Sequence, residues 1–230
     1  MRPHYLLALA ATAGCATIVD PPPHPGRIPV VEALLVGGTD STSFRITWAD
    51  PEATAPVEPI APSEIRLALS TGAGPGRALV PDPDSAGRFV AHLAIIPGNR
   101  YQLEGTIGEH SIAAATTIPS GFVVEDPAGD VTAGPPGIVV PFRWRAPGAT
   151  VFAADFAVFG AFQYHHTRDT VGSLLIIAPD PHRSPALTLW AMNADAERYL
   201  YHVATPFGNV TGGLGMLGGA VTARKAFRWP

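Results

Sequence analysis

Through the first half of this chain hydrophobic residues recur at every second position, and that alternation limits the fold more than any other feature. From Thr42 to Trp48, Phe44, Ile46 and Trp48 share one side while Ser43, Arg45 and Thr47 share the other. Ile65, Leu67 and Leu69 alternate with Glu64, Arg66 and Ala68, and the stretch from Arg88 to Ile95 sets Phe89, Ala91, Leu93 and Ile95 on one side. Tyr101 and Leu103 alternate with Arg100, Gln102 and Glu104, and His110 to Ile118 alternates through Ile112, Ala114 and Thr116. Successive side chains of a strand point to opposite faces, so this pattern marks strands with one buried and one wet face. Ile28 to Val36 adds an apolar run at the start.

Between these segments stand Gly74-Pro75-Gly76, Pro81-Asp82-Pro83-Asp84 and Pro97-Gly98-Asn99, which are turn chemistry. The whole chain carries 24 glycines and 25 prolines in 230 residues, a content that favours strands and short loops over long helices. Six or seven short strands at this spacing predict an all-β fold, with an immunoglobulin-like β-sandwich over residues 28–119. A stretch rich in Pro, Gly, Asp and Glu follows at 120–137 and reads as a linker or long loop. Residues 138–230 then predict a smaller β-rich part, with strands at Val139 to Arg145, Thr150 to Phe159, Gly172 to Ala178 and Ala186 to Met192, and a last strand ending near Trp229. Its one short helix is expected after Asn193. Asn193 is a capping residue, Asp195 and Glu197 suit the first turn, Tyr199, Leu200 and Val203 form an apolar stripe, and Pro206 ends it.

The N-terminus bears on location. Met1-Arg2-Pro3-His4 gives a short positive start, and Tyr5 to Ala13 is an apolar run. A spanning helix needs ~20 apolar residues, so the run fits the core of a signal peptide instead. It ends in Thr12-Ala13-Gly14-Cys15, the pattern of a lipobox. Small residues fit the peptidase, and the thiol is the nucleophile that accepts diacylglycerol. Residues 1–14 are therefore expected to be a lipoprotein signal peptide and Cys15 the lipidated residue. Acyl chains bury ~0.8 kcal/mol per methylene, so several of them make attachment effectively permanent. Residues 15–27, with Asp20-Pro21-Pro22-Pro23-His24-Pro25-Gly26, read as an extended spacer between lipid and folded body. Ala16 stands where an Asp favours inner-membrane retention, which makes the outer membrane the expected location; which face of it is left open. Cys15 is the only cysteine, so no disulfide joins two points of the fold.

The order of several features resembles a known family. Val30-Val31-Glu32-Ala33-Leu34-Leu35 follows shortly after the lipobox cysteine, and Gly98-Asn99-Arg100-Tyr101-Gln102-Leu103 comes further on. Then come Gly108-Glu109-His110, Ala113-Ala114-Ala115-Thr116-Thr117-Ile118-Pro119, and near the end Gly208-Asn209-Val210-Thr211-Gly212-Gly213-Leu214-Gly215-Met216-Leu217-Gly218. This is similar to the bacterial outer-membrane lipoproteins grouped as domain of unknown function 4249. The resemblance implies a β-sandwich followed by a C-terminal part closing on an Asn-x-x-Gly-Gly-Leu-Gly-like motif. It also implies association with TonB-dependent outer-membrane receptors. It supplies no catalytic residues.

Residue chemistry adds little to that. The formal charge is −4 and no basic block occurs, so the clustered Lys and Arg that nucleic acid requires are missing. Lys225 is the single lysine, a usage that reads as a GC-rich coding sequence rather than as a site. Gly213-Leu214-Gly215-Met216-Leu217-Gly218 matches G-x-G-x-x-G, but no Asp or Glu follows it to hold a ribose. Close packing of glycines is the better reading. His165 and His166, with Asp169, Asp180 and His182, hold metal-binding groups, yet strand neighbours point to opposite faces. Asp82, Asp84 and Gly87 lack the distal Glu of a calcium loop and read as a turn. Glu125 and Asp126 are loop neighbours, and no Gly-x-Ser-x-Gly elbow occurs. The expected catalytic, metal and cofactor sets are therefore empty. An aromatic cluster at Phe159, Phe162 and Tyr164 is the expected partner patch. The chain thus reads as a lipid-anchored cell-envelope protein, a non-catalytic binding or accessory subunit beside an outer-membrane receptor. The alternatives are an adhesion or structural surface module and, behind it, a hydrolase of envelope or extracellular polymers.

Overall fold

The alternating segments do form strands. The computed structural model describes residues 26–50, 58–72, 74–132, 138–158, 161–176, 186–201 and 208–228. In chain order the first strands are β1 (Ile28–Val36), β2 (Thr42–Ala49), β3 (Glu58–Pro59), β4 (Ile65–Thr71), β5 (Arg77–Ala78) and β6 (Val80–Pro81). Next come β7 (Arg88–Ala91), β8 (Arg100–Ile107), β9 (His110–Thr117), β10 (Val123–Asp126), β11 (Val131–Thr132) and β12 (Ile138–Arg145). The chain ends with β13 (Val151–Val158), β14 (Ala161–Thr167), β15 (Val171–Ile176), β16 (Ala186–Met192), α1 (Ala194–Tyr201) and β17 (Leu214–Arg228).

β1, β2, β7 and β6 lie side by side and face a four-stranded sheet ordered β5-β4-β8-β9. Val31, Leu35, Phe44, Ile46 and Phe89 point inward from one sheet, and Leu67, Leu69, Leu103, Ile107 and Ile112 from the other. Each such side chain contributes about 1.5–3 kcal/mol when fully buried, which is what holds the two layers together. Tyr101, at the start of β8, is fully buried, and its hydroxyl donates to Ala94 O at 2.9 Å while accepting from Ile96 N–H at 2.7 Å. This is the tyrosine corner of immunoglobulin-like sandwiches. It also explains why β7 stops at Ala91 instead of running to Ile95. Beyond Ala91 the chain turns, with Tyr101 and Thr39 taking its backbone groups: Ile95 N–H donates to Thr39 O at 2.7 Å.

In the C-terminal half β10, β12 and β15 form a three-stranded sheet, and β14, β13 and β16 continue the large one. Phe142, Trp144 and Phe152 stack between them, with ring centroids 6.0 and 5.4 Å apart, and Trp144 Nε1 donates to Asp169 O at 2.8 Å. β17 joins the halves. Its first part runs parallel to β1, from Val30 opposite Leu214 to Val36 opposite Ala220, and its second part pairs antiparallel with β16. The result is a ten-stranded sheet shared by both halves, with Leu187, Leu189, Leu217 and Val221 in the same core cluster as Val31 and Phe44. Close approach of β17 to β1 requires Gly215, whose φ is +112° and where a Cβ would lie 2.0 Å from Val31 O. The G-x-G-x-x-G string is packing glycine, as its context predicts.

Candidate functional site

Two asparagines fasten the C-terminal half to the outer edge of β9, where Ala113 and Thr211 also exchange backbone hydrogen bonds. Asn193 caps α1 by accepting from Ala196 N–H at 3.1 Å through Oδ1, which also accepts from Gly219 N–H at 3.1 Å. Its amide nitrogen donates to Thr116 Oγ1 at 2.7 Å and Thr117 O at 2.9 Å. Asn209 donates to Ala115 O and Leu217 O, both at 2.9 Å, and accepts from Leu217 N–H at 2.8 Å. Asp195 sits beside this clasp, accepting from Thr116 Oγ1 at 3.4 Å. Burial raises its pKa above the ordinary 3.8, and the bonds from Thr116 and Asn209 and the charge of Arg198 only partly offset that. The two amides thus join backbone groups of β9, α1 and β17, and the Thr116 hydroxyl bridges the Asn193 amide and the Asp195 carboxylate.

Lys225 has a role that composition did not suggest. Its ammonium donates to three carbonyls of the loop after β10, Pro127 O at 2.9 Å, Ala128 O at 3.0 Å and Gly129 O at 3.2 Å. Three donors on a point charge match three converging carbonyls, a task that a planar guanidinium performs poorly. Within 120–137, β10 pairs with β12, and Glu125 lies 3.3 Å from Arg145 in an ion pair rather than acting with Asp126.

The other predicted sites fare differently. Cys15, Phe159, Asp180, His182 and Pro206 lie outside the described residues. Phe162 and Tyr164 fall on β14, opposite Ala157 and Asp155, at the edge of the ten-stranded sheet. His165 and His166 are successive residues of that same strand, opposite Ala154 and Ala153. Asp82 accepts from Asp84 N–H at 3.0 Å and Gly87 has φ +75°, so this segment is the turn it was expected to be. Among the described residues no group of three His, Cys, Asp or Glu side chains is arranged to hold a metal ion, and no helix is long and apolar enough to cross a membrane.

Sequence reasoning missed an open trough on the outer face of the large sheet. Register sets Met216 of β17 opposite Glu32 of β1, Glu32 opposite Arg45 of β2, and Arg45 opposite Arg88 of β7. These four residues make one row across four strands. With Ala33, Leu34 and Ser43 they line a shallow hollow of about 370 Å³. Arg45 and Glu32 approach to 3.6 Å, while Arg88 has no carboxylate partner among the described residues. Leu34 and Met216 also touch a small cluster beneath α1, formed with Val151, Ala153, Met192, Ala196 and Ala220. The trough is thus apolar at Leu34 of β1, above the buried Met216, and cationic on the side of β7. The one local signal for it was that Arg45 stands on the wet side of its strand.

Comparisons with known proteins add a structural likeness only. No family model and no curated protein matches this chain. Among solved structures, a two-domain fibronectin type-III segment from chicken tenascin is similar over 86% of this chain and 99% of that one, at 13% identity and a TM-score of 0.25.

Proposed function

We propose that this protein is a binding module of the cell envelope, tethered through lipid on Cys15, whose contact surface is the outer face of β1, β2 and β7. One observation carries the reading: the polar clusters inside the molecule are engaged in joining its halves, whereas the row Glu32, Arg45 and Arg88 lies open on a sheet face. A receptor of the outer membrane is the partner that the family resemblance suggests. A second reading, an adhesion or structural surface module, draws on the parallel pairing of β1 with β17. Tension entering at the start of β1 and leaving through the C-terminal half loads the seven register pairs between Val30–Val36 and Leu214–Ala220 together, in shear.

The test has two stages. Membrane fractionation and mass spectrometry of wild-type and Cys15→Ser protein are expected to show an acylated Cys15 and a membrane-bound wild type, with the variant released. A photo-crosslinking residue is then placed at Ser43 or, on the exposed face of the opposite sheet, at Glu104. Crosslinking of a partner from Ser43 alone supports the reading. An unacylated wild type removes the tether, and crosslinks from Glu104 alone remove the proposed face.

A further inference from the structure

The row across the outer sheet face contains a feature that folding does not explain. Arg45 and Arg88 stand directly opposite each other on antiparallel strands. Directly opposed side chains have Cβ atoms ~4.5–5.5 Å apart, and like charges at that spacing destabilise a sheet. Glu32 lies within 3.6 Å of Arg45, which leaves the three charges with a net of one positive. Both guanidinium groups are on exposed residues, next to the Ser43 hydroxyl and beside the half-buried Leu34, with Met216 buried beneath it.

We infer that this trough binds the carboxylate of a small organic acid, its carbon skeleton lying over Leu34. The inference rests on the reading of this face as the contact surface and gives that face a ligand class. Charge selects the class. One excess positive charge is neutralised by a monoanion, while a phosphate dianion meets the Glu32 carboxylate. Geometry agrees, because the planar guanidinium fork matches a carboxylate in two parallel bonds, and Ser43 offers a third donor. The Leu34 side chain accepts a chain that water excludes. The trough is open at its outer side, so the far end of the acid is free to belong to a larger molecule.

The experiment uses the purified full chain in detergent and three probes at neutral pH: sodium hexanoate, hexanol and inorganic phosphate. Binding is followed by amide chemical shifts in the nuclear magnetic resonance spectrum. Hexanoate is expected to shift the amides of Leu34, Ser43 and Arg45 saturably, hexanol and phosphate far less. Arg88→Gln is expected to weaken hexanoate about tenfold or more, since a charge-assisted pair is lost. Arg88→Lys restores charge without the fork and is expected to recover only part. Without ligand, Arg88→Gln is expected to melt no lower than wild type, because it relieves the repulsion with Arg45. Stronger binding of phosphate than of hexanoate overturns the carboxylate assignment, and hexanoate binding that ignores Arg88→Gln overturns the site. A partner that crosslinks from Ser43 equally in wild type and Arg88→Gln overturns this inference and leaves the binding-module reading standing. Hexanoate binding at the trough without a crosslinked partner does the reverse.

Discussion

Asn193→Ala tests whether the halves of this molecule are joined by hydrogen bonds or only by β17. Asn193 is 7% exposed, and one side chain makes four contacts: the cap of α1, the Gly219 N–H, Thr116 and Thr117. Loss of the cap alone costs about 1 kcal/mol. The substitution also strips the partner from the buried Gly219 N–H and one bond from the partly exposed Thr117 carbonyl. A buried polar group left unpaired costs about 1–3 kcal/mol. Because these contacts share one side chain their losses do not simply add, and a destabilisation of about 3–5 kcal/mol is expected. Asn193→Asp separates the terms. It keeps the acceptor for Ala196 and Gly219 but cannot donate to Thr117, so its loss falls between wild type and alanine. The assay is urea unfolding at neutral pH followed by circular dichroism and tryptophan fluorescence, with hydrogen exchange at Gly219 and Thr117. A loss of no more than about 1 kcal/mol in the alanine variant, the value of the cap alone, would refute the clasp.

Three further outcomes are expected. Asp195→Asn stabilises the protein at neutral pH: burial raises the Asp195 pKa, so the folded state binds the proton more tightly and loses stability as pH rises through the folded value. The gap between variant and wild type closes below the unfolded value near 3.8, and melting curves across pH check it. Thr42→Val raises stability by about 1 kcal/mol, because the buried Thr42 Oγ1 has no hydrogen-bond partner among the described residues; denaturant midpoints at constant slope measure this. Lys225→Met frees three carbonyls and loosens the loop at Pro127–Gly129, read as faster hydrogen exchange and proteolysis there, and Lys225→Arg is expected to restore only part of the protection.

What could be read in advance follows from how far each interaction reaches along the chain. Phe44, Ile46 and Trp48 announce β2 because the strand period is written in seven consecutive residues, and Asn193 announces α1 because a cap acts within one turn. The pairing of β1 with β17 joins Val31 to Gly215, and nothing local encodes a parallel partner so distant in the sequence. Gly215 signals that some backbone comes close, but not which one. The same holds for Tyr101, whose role in the corner becomes visible once β7 and β8 are known to lie in opposite sheets.

The trough was hidden for the same reason and to a greater degree. Glu32, Arg45, Arg88 and Met216 come from four strands, and a slip of one residue in any pairing would send a member of the row to the other face. Register is held by the inward residues: Val31 and Ala33 on β1, Phe44 and Ile46 on β2, and Phe89 on β7. The hydrophobic core therefore sets the charged row indirectly, by fixing the pleat. It also explains how an opposed arginine pair is tolerated. A repulsion of a few tenths of a kcal/mol up to about 1 is small beside the burial of Phe44 and Phe89, which sit opposite each other one position along. A sheet with so strong a core can carry an unfavourable surface pair for the sake of a ligand, and Arg88→Gln separates the two roles because it removes the charge and leaves the pleat in place.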